Sequence, residues 1–457
     1  MNNNQYCYLK KAHGNRIIGA LAISSLLFVV SGCDSTMKES RSTDTIANTA
    51  SNPDKTKNNA DVQENSPVDF IAADDSASTP DGITQVTTAS NQFAVAMYQY
   101  INEQPDQADK NVFFSPYSLS TAMAMLYAAA EGETKQQIQK TFYYPSMDIL
   151  NPNSAALYNQ FNKPNPNYDL STVNNLWMQQ GLTPNKAYVD TVQRYYGGNV
   201  TNLDLQNSSE TSRQTINKTI AKHTKQMIPE LLPKGSIKSD TVTVLTNAVY
   251  FKGYWQMPFS QTSTSNKPFY PFNGQSTDVK TMYQQADLSY TEDEQVQVIQ
   301  LPYKGDYLSM LVILPKAKDA AAMQQLVKGL TPDKLKSWAI DAKIEEVKLS
   351  LPKFKLQEDY KMKPLLIDMG MPIAFTKQSD FSLFNVDLPL FVDSVIHKAV
   401  IEVDEKGTEA AAATGIVVAI ESASAPPVAF KADHPFVFMI KDNKTDAILF
   451  LGQVNKP

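Results

Sequence analysis

Apolar residues recur along this chain with two different periods, and the switch from one to the other divides it. After Gly82 they recur at helical spacing, as in the row Phe93, Met97, Tyr98 and Ile101. A second helix is expected to start at Ser115-Pro116, a capping hydroxyl followed by proline in the first helical position, and to stop near Gly132. Further on the period becomes two. Val242, Val244, Thr246 and Ala248 alternate before Tyr250 and Phe251, while 308–314, 347–351, 399–403, 436–440 and 447–451 are mostly β-prone. Helices concentrated in the first half, with strands in the second and no regular alternation, predict an α+β fold. No repeat or second linker interrupts 84–457, so that span reads as one domain.

The residues before 84 follow neither period. Lys10, Lys11 and Arg16 precede an apolar stretch that begins at Ile17 and ends at Val30, the layout of an export signal. That stretch is short for a membrane span. It closes on Val30-Ser-Gly-Cys33, which resembles the lipobox of bacterial lipoproteins. Cleavage before Cys33 would leave a lipid on its thiol, so residues 1–32 read as a lipoprotein signal and the mature protein as extracytoplasmic, anchored to a bacterial membrane. A plain secretory signal is the alternative. Cys7 and Cys33 are the only cysteines, so no disulfide framework, zinc knuckle or cysteine nucleophile is expected. From Asp34 to Gly82 the chain is rich in Ser, Thr, Asn, Asp and Pro and cannot bury enough apolar surface to offset ordering. Residues 33–83 therefore read as a lipidated cysteine and a disordered tether, about 50 residues with a reach of roughly 40 Å.

Composition narrows the function. The 457 residues are 42% hydrophobic, enough for a large core. A net charge of -6 argues against nucleic acid or an anionic membrane surface as partner, which leaves the lipid as the only expected membrane attachment. The chain carries no Gly-x-Ser-x-Gly elbow, phosphate-cradling Gly-rich loop, His-Glu-x-x-His pair or dinucleotide fingerprint. Of four histidines His13 lies in the signal, and His223, His397 and His434 have no neighbour in sequence that suggests a metal pair. No catalytic residue, metal or cofactor is nominated. A hydrolase with a Ser/His/Asp triad gathered from distant positions is the enzymatic alternative.

The least ordinary segment runs from Val403 to Pro427 between two expected strands, far beyond the usual two to five residues of a hairpin connection. Read with period two, Thr408, Ala410, Ala412, Thr414, Ile416, Val418 and Ile420 form one face, small or apolar throughout. Glu409, Ala411, Ala413, Gly415, Val417, Ala419 and Glu421 form the other, with a charge at each end. The loop thus holds a latent strand whose smallest residues come first. A surface helix across the alanines is the other reading that composition allows.

These residues resemble the serpin family. Glu405-Lys-Gly-Thr-Glu-Ala-Ala-Ala-Ala-Thr414 is similar to the reactive-loop hinge of its inhibitory members. Asn111-Val-Phe-Phe-Ser-Pro-Tyr-Ser118 with Ala122-Met-Ala-Met-Leu126 looks like the family's second helix. Leu245-Thr-Asn-Ala-Val-Tyr-Phe-Lys-Gly-Tyr-Trp255 looks like a central strand of its main sheet. Gly305-Asp-Tyr-Leu-Ser-Met-Leu-Val-Ile-Leu-Pro315 and Phe430-Lys-Ala-Asp-His-Pro-Phe436 also fit, in the right order over 84–457. The resemblance implies three β-sheets, about eight or nine helices and an exposed reactive-centre loop. It implies a monomeric suicide inhibitor: a serine protease cuts the loop, is held as an acyl-enzyme, and is trapped as the loop inserts into the main sheet. A non-inhibitory member, acting as binder or folding aid, is the nearest alternative.

Roles carry over residue by residue. Fourteen positions beyond the hinge glycine Gly407 lies Glu421, so Glu421-Ser422 is the expected scissile bond. An acidic residue there suits a glutamyl-specific protease, whereas Val418, Ala419, Ile420, Ala423 and Ala425 suit elastase-like or subtilisin-like enzymes. Thr408 is expected to enter the sheet first, followed by Ala410 and Ala412. Ser115, Ser118, Asn247 and His397 match the shutter beneath the opening sheet, Lys353 matches an ion-pair partner for Glu405, and Trp255 is expected to pack at the same breach.

Overall fold

A computed structural model describes residues 70–105, 107, 109–385, 390–408 and 426–457, all within the unit Ser66–Pro457. Its first part runs α1 (Pro80–Glu103), β1 (Val112–Phe114), α2 (Pro116–Ala129), α3 (Gly132–Phe142), α4 (Met147–Asn162), β2 (Tyr168–Gln179), α5 (Lys186–Tyr196), β3 (Asn199–Leu203) and α6 (Ser209–His223). There follow β4 (Thr243–Tyr254), β5 (Ser265–Phe269), β6 (Thr277–Glu292), β7 (Val296–Pro302), β8 (Leu308–Pro315), α7 (Ala320–Gly329) and α8 (Pro332–Asp341). The last part is β9 (Lys343–Pro352), β10 (Phe354–Lys361), α9 (Met362–Asp368), β11 (Ser394–Asp404), β12 (Gly407–Thr408), β13 (Val428–Lys431), β14 (Phe436–Asp442) and β15 (Ile448–Val454). The α+β expectation holds, with nine α-helices among the described residues.

Local chemistry explains the helix starts. The Ser115 hydroxyl accepts from Ser118 N at 3.2 Å and Pro116 opens α2, as its sequence requires. That helix is apolar nearly all round, and it is buried accordingly against β4, β2, β15, α1 and α5. The same device appears at Thr79-Pro80, where the Thr79 hydroxyl accepts from Gly82 N at 3.0 Å. Helix α1 thus begins at Pro80. Residues before Pro80 are already tied into the fold: Ala73 exchanges two hydrogen bonds with the Asn159 side chain at 2.8 and 2.9 Å, and Asp74 pairs with Arg194.

Among the described residues the strand pairings form two hydrogen-bonded sheets. One has nine strands in the order β1-β15-β14-β8-β7-β6-β9-β13, with β5 attached to β6. Of the three sheets expected, two are continuous here, because β6 runs unbroken from its pairing with β5 and β9 into its pairing with β7. The six-stranded sheet has the order β10-β11-β12-β4-β2-β3.

Its centre is irregular in one respect. Lower down, β11 and β4 run parallel and pair directly, from Ser394 opposite Val244 to Val400 opposite Tyr250. At the upper end they part, and the two residues of β12 lie between them.

Candidate functional site

The seam between β4 and β11 gathers every described residue singled out from the sequence. Cys33, the loop residues Glu409, Ala410, Ala411, Ala412, Ala413 and Thr414, and the Glu421-Ser422 bond lie outside the described residues.

At the mouth of the seam the chain leaves β11, turns through Glu405 and Lys406, and comes back antiparallel as β12. Thr408 lies opposite Val403 on one side and Gly253 on the other, and Gly407 lies opposite Asp404 and Tyr254. Only glycine fits at 407. Its φ is +147°, and a Cβ would stand 2.0 Å from Gly253 O and 2.8 Å from Tyr254 Cα. Thr408 is fully buried, so the residue expected to enter the sheet first is already inside it.

The turn is fastened from several sides. Lys406 N donates to Asp404 Oδ1 at 2.9 Å, Trp255 N to Lys406 O at 2.9 Å and Phe259 N to Glu405 O at 2.8 Å. The Glu405 carboxylate is 6% exposed and accepts from Lys353 Nζ at 2.7 Å and from the Thr264 hydroxyl at 2.8 Å. Burial by itself would push this carboxyl up, but the hydrogen bonds from Lys353 and Thr264 outweigh it and hold it below its ordinary value. Trp255 donates its indole N–H to Asp404 O at 3.0 Å and stacks on Tyr303 at 4.6 Å between ring centroids. The Tyr303 hydroxyl in turn meets Thr408 Oγ1 at 3.0 Å.

Midway down, a row of polar side chains crosses three adjacent strands: His397 on β11, Asn247 opposite it on β4, and Asn174 opposite that on β2. All three are buried. Ser115 N donates to His397 Nε2 at 3.1 Å, which fixes the ring proton on Nδ1, and Nδ1 donates to Asn247 Oδ1 at 2.5 Å. Asn247 Nδ2 then donates to Asn174 Oδ1 at 2.5 Å and to Ser118 Oγ at 2.6 Å. The Ser115 hydroxyl donates to Leu449 O at 2.7 Å. Burial pushes the His397 ring down to about 3, in keeping with the neutral tautomer that its partners demand.

The structure brings Ser115, Ser118, Asn247 and His397 together under the seam, and Lys353, Glu405 and Trp255 at its mouth. Sequence reasoning missed Tyr303, Thr264 and Asn174. Asn174 carried a signal, since asparagine is depleted inside strands and here sits in Val173-Asn-Asn-Leu176. Tyr303 carried none, because it arrives from the turn between β7 and β8 in the other sheet. Among the described residues no histidine bonds a serine hydroxyl: His223 meets Thr219 O, and His434 meets Asp433 and Pro315 O. No group of three His, Cys, Asp or Glu able to hold a metal occurs among them either.

The fold that carries this seam has known relatives. A family model of serpins, serine protease inhibitors, matches residues 88–457. A serpin-like protein of Methanosarcina acetivorans is 40% identical over 377 residues, 81% of this chain and 88% of that one. The leukocyte elastase inhibitor of Homo sapiens is 34% identical over 380 residues, covering 82% of this chain and all of the inhibitor. Human thyroxine-binding globulin, solved with thyroxine, superposes with a TM-score of 0.75 at 28% identity over 82% of this chain and 99% of the globulin. The chain belongs to the serpin family.

Proposed function

We propose that this protein is a suicide inhibitor of a serine protease, trapping the enzyme by drawing its own cut loop into the six-stranded sheet. The observation that carries the reading is the register of β12. Every step along β12 moves its partner by one residue on both flanking strands, and the offset between Val403 and Gly253 equals that between Val400 and Tyr250 below. Extending β12 therefore sets Ala410 between Ile401 and Phe251, Ala412 between Ala399 and Val249, and Thr414 between His397 and Asn247. The small, apolar set 408–420 takes the face that Thr408 already buries. Ile416, Val418 and Ile420 would each gain roughly 1.5 to 3 kcal/mol on full burial.

Insertion must break the His397 to Asn247 bond, since a new strand separates β11 from β4 by about 4.8 Å more. In this register the Thr414 hydroxyl arrives between the two and can accept from His397 Nδ1 while donating to Asn247 Oδ1. The row is then rebuilt around the guest strand.

The scissile bond is Glu421-Ser422, and the mature protein is tethered outside the cytoplasm by a lipid on Cys33. Incubation with a glutamyl endopeptidase, an elastase and subtilisin tests the reading. An SDS-stable complex whose released peptide begins at Ser422 supports it; a nicked chain with no complex from any of the three overturns it. Growth with a labelled fatty acid tests the anchor, with label expected on the wild type and absent from Cys33→Ser; equal labelling of the two rejects Cys33 as the lipid site.

A further inference from the structure

We infer that Tyr303 is a positioning residue for the trap, a latch that holds Thr408 in the sheet before any cut, so that insertion starts from a strand end already in register. This inference rests on the inhibitor reading above. Tyr303 is fully buried, and the partner its hydroxyl finds is Thr408 Oγ1 at 3.0 Å. A buried phenol that gives up its partner loses free energy. Burial also pushes the hydroxyl up, so it stays protonated and able to donate.

The ring has little freedom to serve elsewhere. Trp255 stacks on one face at 4.6 Å, and Phe251 meets it edge-on at 5.2 Å. Gly253 leaves room for it, since a Cβ there would come within 2.7 Å of Tyr303 Cδ1. Trp255 is itself fixed to Asp404 O at the start of the turn. The hydroxyl is thus aimed at one point, from a turn of the other sheet, and that point is the last described residue of the hinge. If Thr408 left the sheet, the Tyr303 hydroxyl would remain buried among rings without that bond, a penalty that holds β12 in place.

The chemical consequence is kinetic. After the acyl bond forms, the loop either inserts or is released by water, and the branch that starts from an ordered strand end is faster than one that must first order Gly407 and Thr408. Losing one buried hydrogen bond should raise the number of molecules cut per molecule trapped by roughly threefold to tenfold.

Two measurements on the full chain decide the matter. Hydrogen exchange of peptides covering 404–408 in the uncut protein reads the latch without any protease. Tyr303→Phe keeps the stacked ring, Thr408→Val keeps the shape, and Thr408→Ser keeps the hydroxyl. Faster exchange in the first two, no further gain in the double variant, and wild-type exchange in Thr408→Ser support the latch. Equal exchange in all four overturns it. The ratio of inhibitor cut to protease trapped should follow the same order, and an unchanged ratio in Tyr303→Phe with a wild type that still traps also overturns it. A wild type that traps nothing sinks the inhibitor reading instead, while the exchange result still stands on its own.

Discussion

The two ends of one seam differ in kind. At its mouth β4 and β11 are already held apart by β12, through a glycine that admits no Cβ, a half-exposed lysine and a nearly buried glutamate. Midway, the same two strands pair directly and are closed by neutral side chains, His397 and Asn247, with no ion pair between them. At the mouth the two strands are already apart, whereas midway a buried hydrogen bond joins them. On the inhibitor reading proposed above, such a seam would open from its mouth.

The largest effect expected from breaking this contrast is at the mouth. Thr408→Arg would set an unpaired charge in a fully buried position, costing several kcal/mol, so β12 should be expelled and the trapped fraction of protease should fall by more than about tenfold. Gel analysis of complex against nicked chain reads this. Trapping at the wild-type level would show that Thr408 need not enter.

The middle comes next. Asn247→Ala strips the partner from His397 Nδ1 and from Asn174 Oδ1 at once, which at 1 to 3 kcal/mol for each buried orphan should destabilise the protein by about 3 kcal/mol. Urea denaturation measures it, and a shift under about 0.5 kcal/mol, the scale of an ordinary surface change, would show that the row does not close the seam.

A third test uses acid. His397 titrates near 6.5 when unfolded but is pushed down to about 3 in the fold, so protons bind the unfolded chain first. The stability that the neutral ring contributes is whole above about pH 6.5 and is lost as pH falls toward 3, at up to roughly 1.4 kcal/mol per pH unit. The wild type should therefore lose stability between pH 6 and 4 more steeply than His397→Asn. Parallel curves would contradict the buried neutral ring.

The smallest effect belongs to Lys353. Its side chain is 36% exposed, so Lys353→Met should cost only about 1 kcal/mol after solvent screening, most of it from taking the ion-pair partner away from the Glu405 carboxylate. A larger loss would place more of the mouth's stability in charge than the comparison allows.

Much of this site was legible because it lies in local patterns. Ser115-Pro116 announces a capped helix, alternation marks β4, and Thr408 opens a face of small residues. Lys353 and Glu405 were paired through a family resemblance rather than spacing, and they do meet. What escaped was contributed across the fold. Tyr303 reaches Thr408 from a turn of another sheet, and no periodicity in either segment records that meeting. Thr264 lies in a short connection with no pattern at all. The start of α1 was missed for a different reason: Thr79-Pro80 carries the same signal as Ser115-Pro116, but it sits at the edge of a polar, aromatic-poor stretch that masks it.

One measurement bears most directly on the account. The protein should be nicked within 415–425 by a protease that it does not trap, and its heat unfolding compared with that of the intact chain. A guest strand completing β4 and β11 should raise the unfolding midpoint and newly protect the amides along 394–404 and 243–254. A nicked protein that melts at the same temperature or below, with those amides exchanging as before, would mean that the seam never admits the loop.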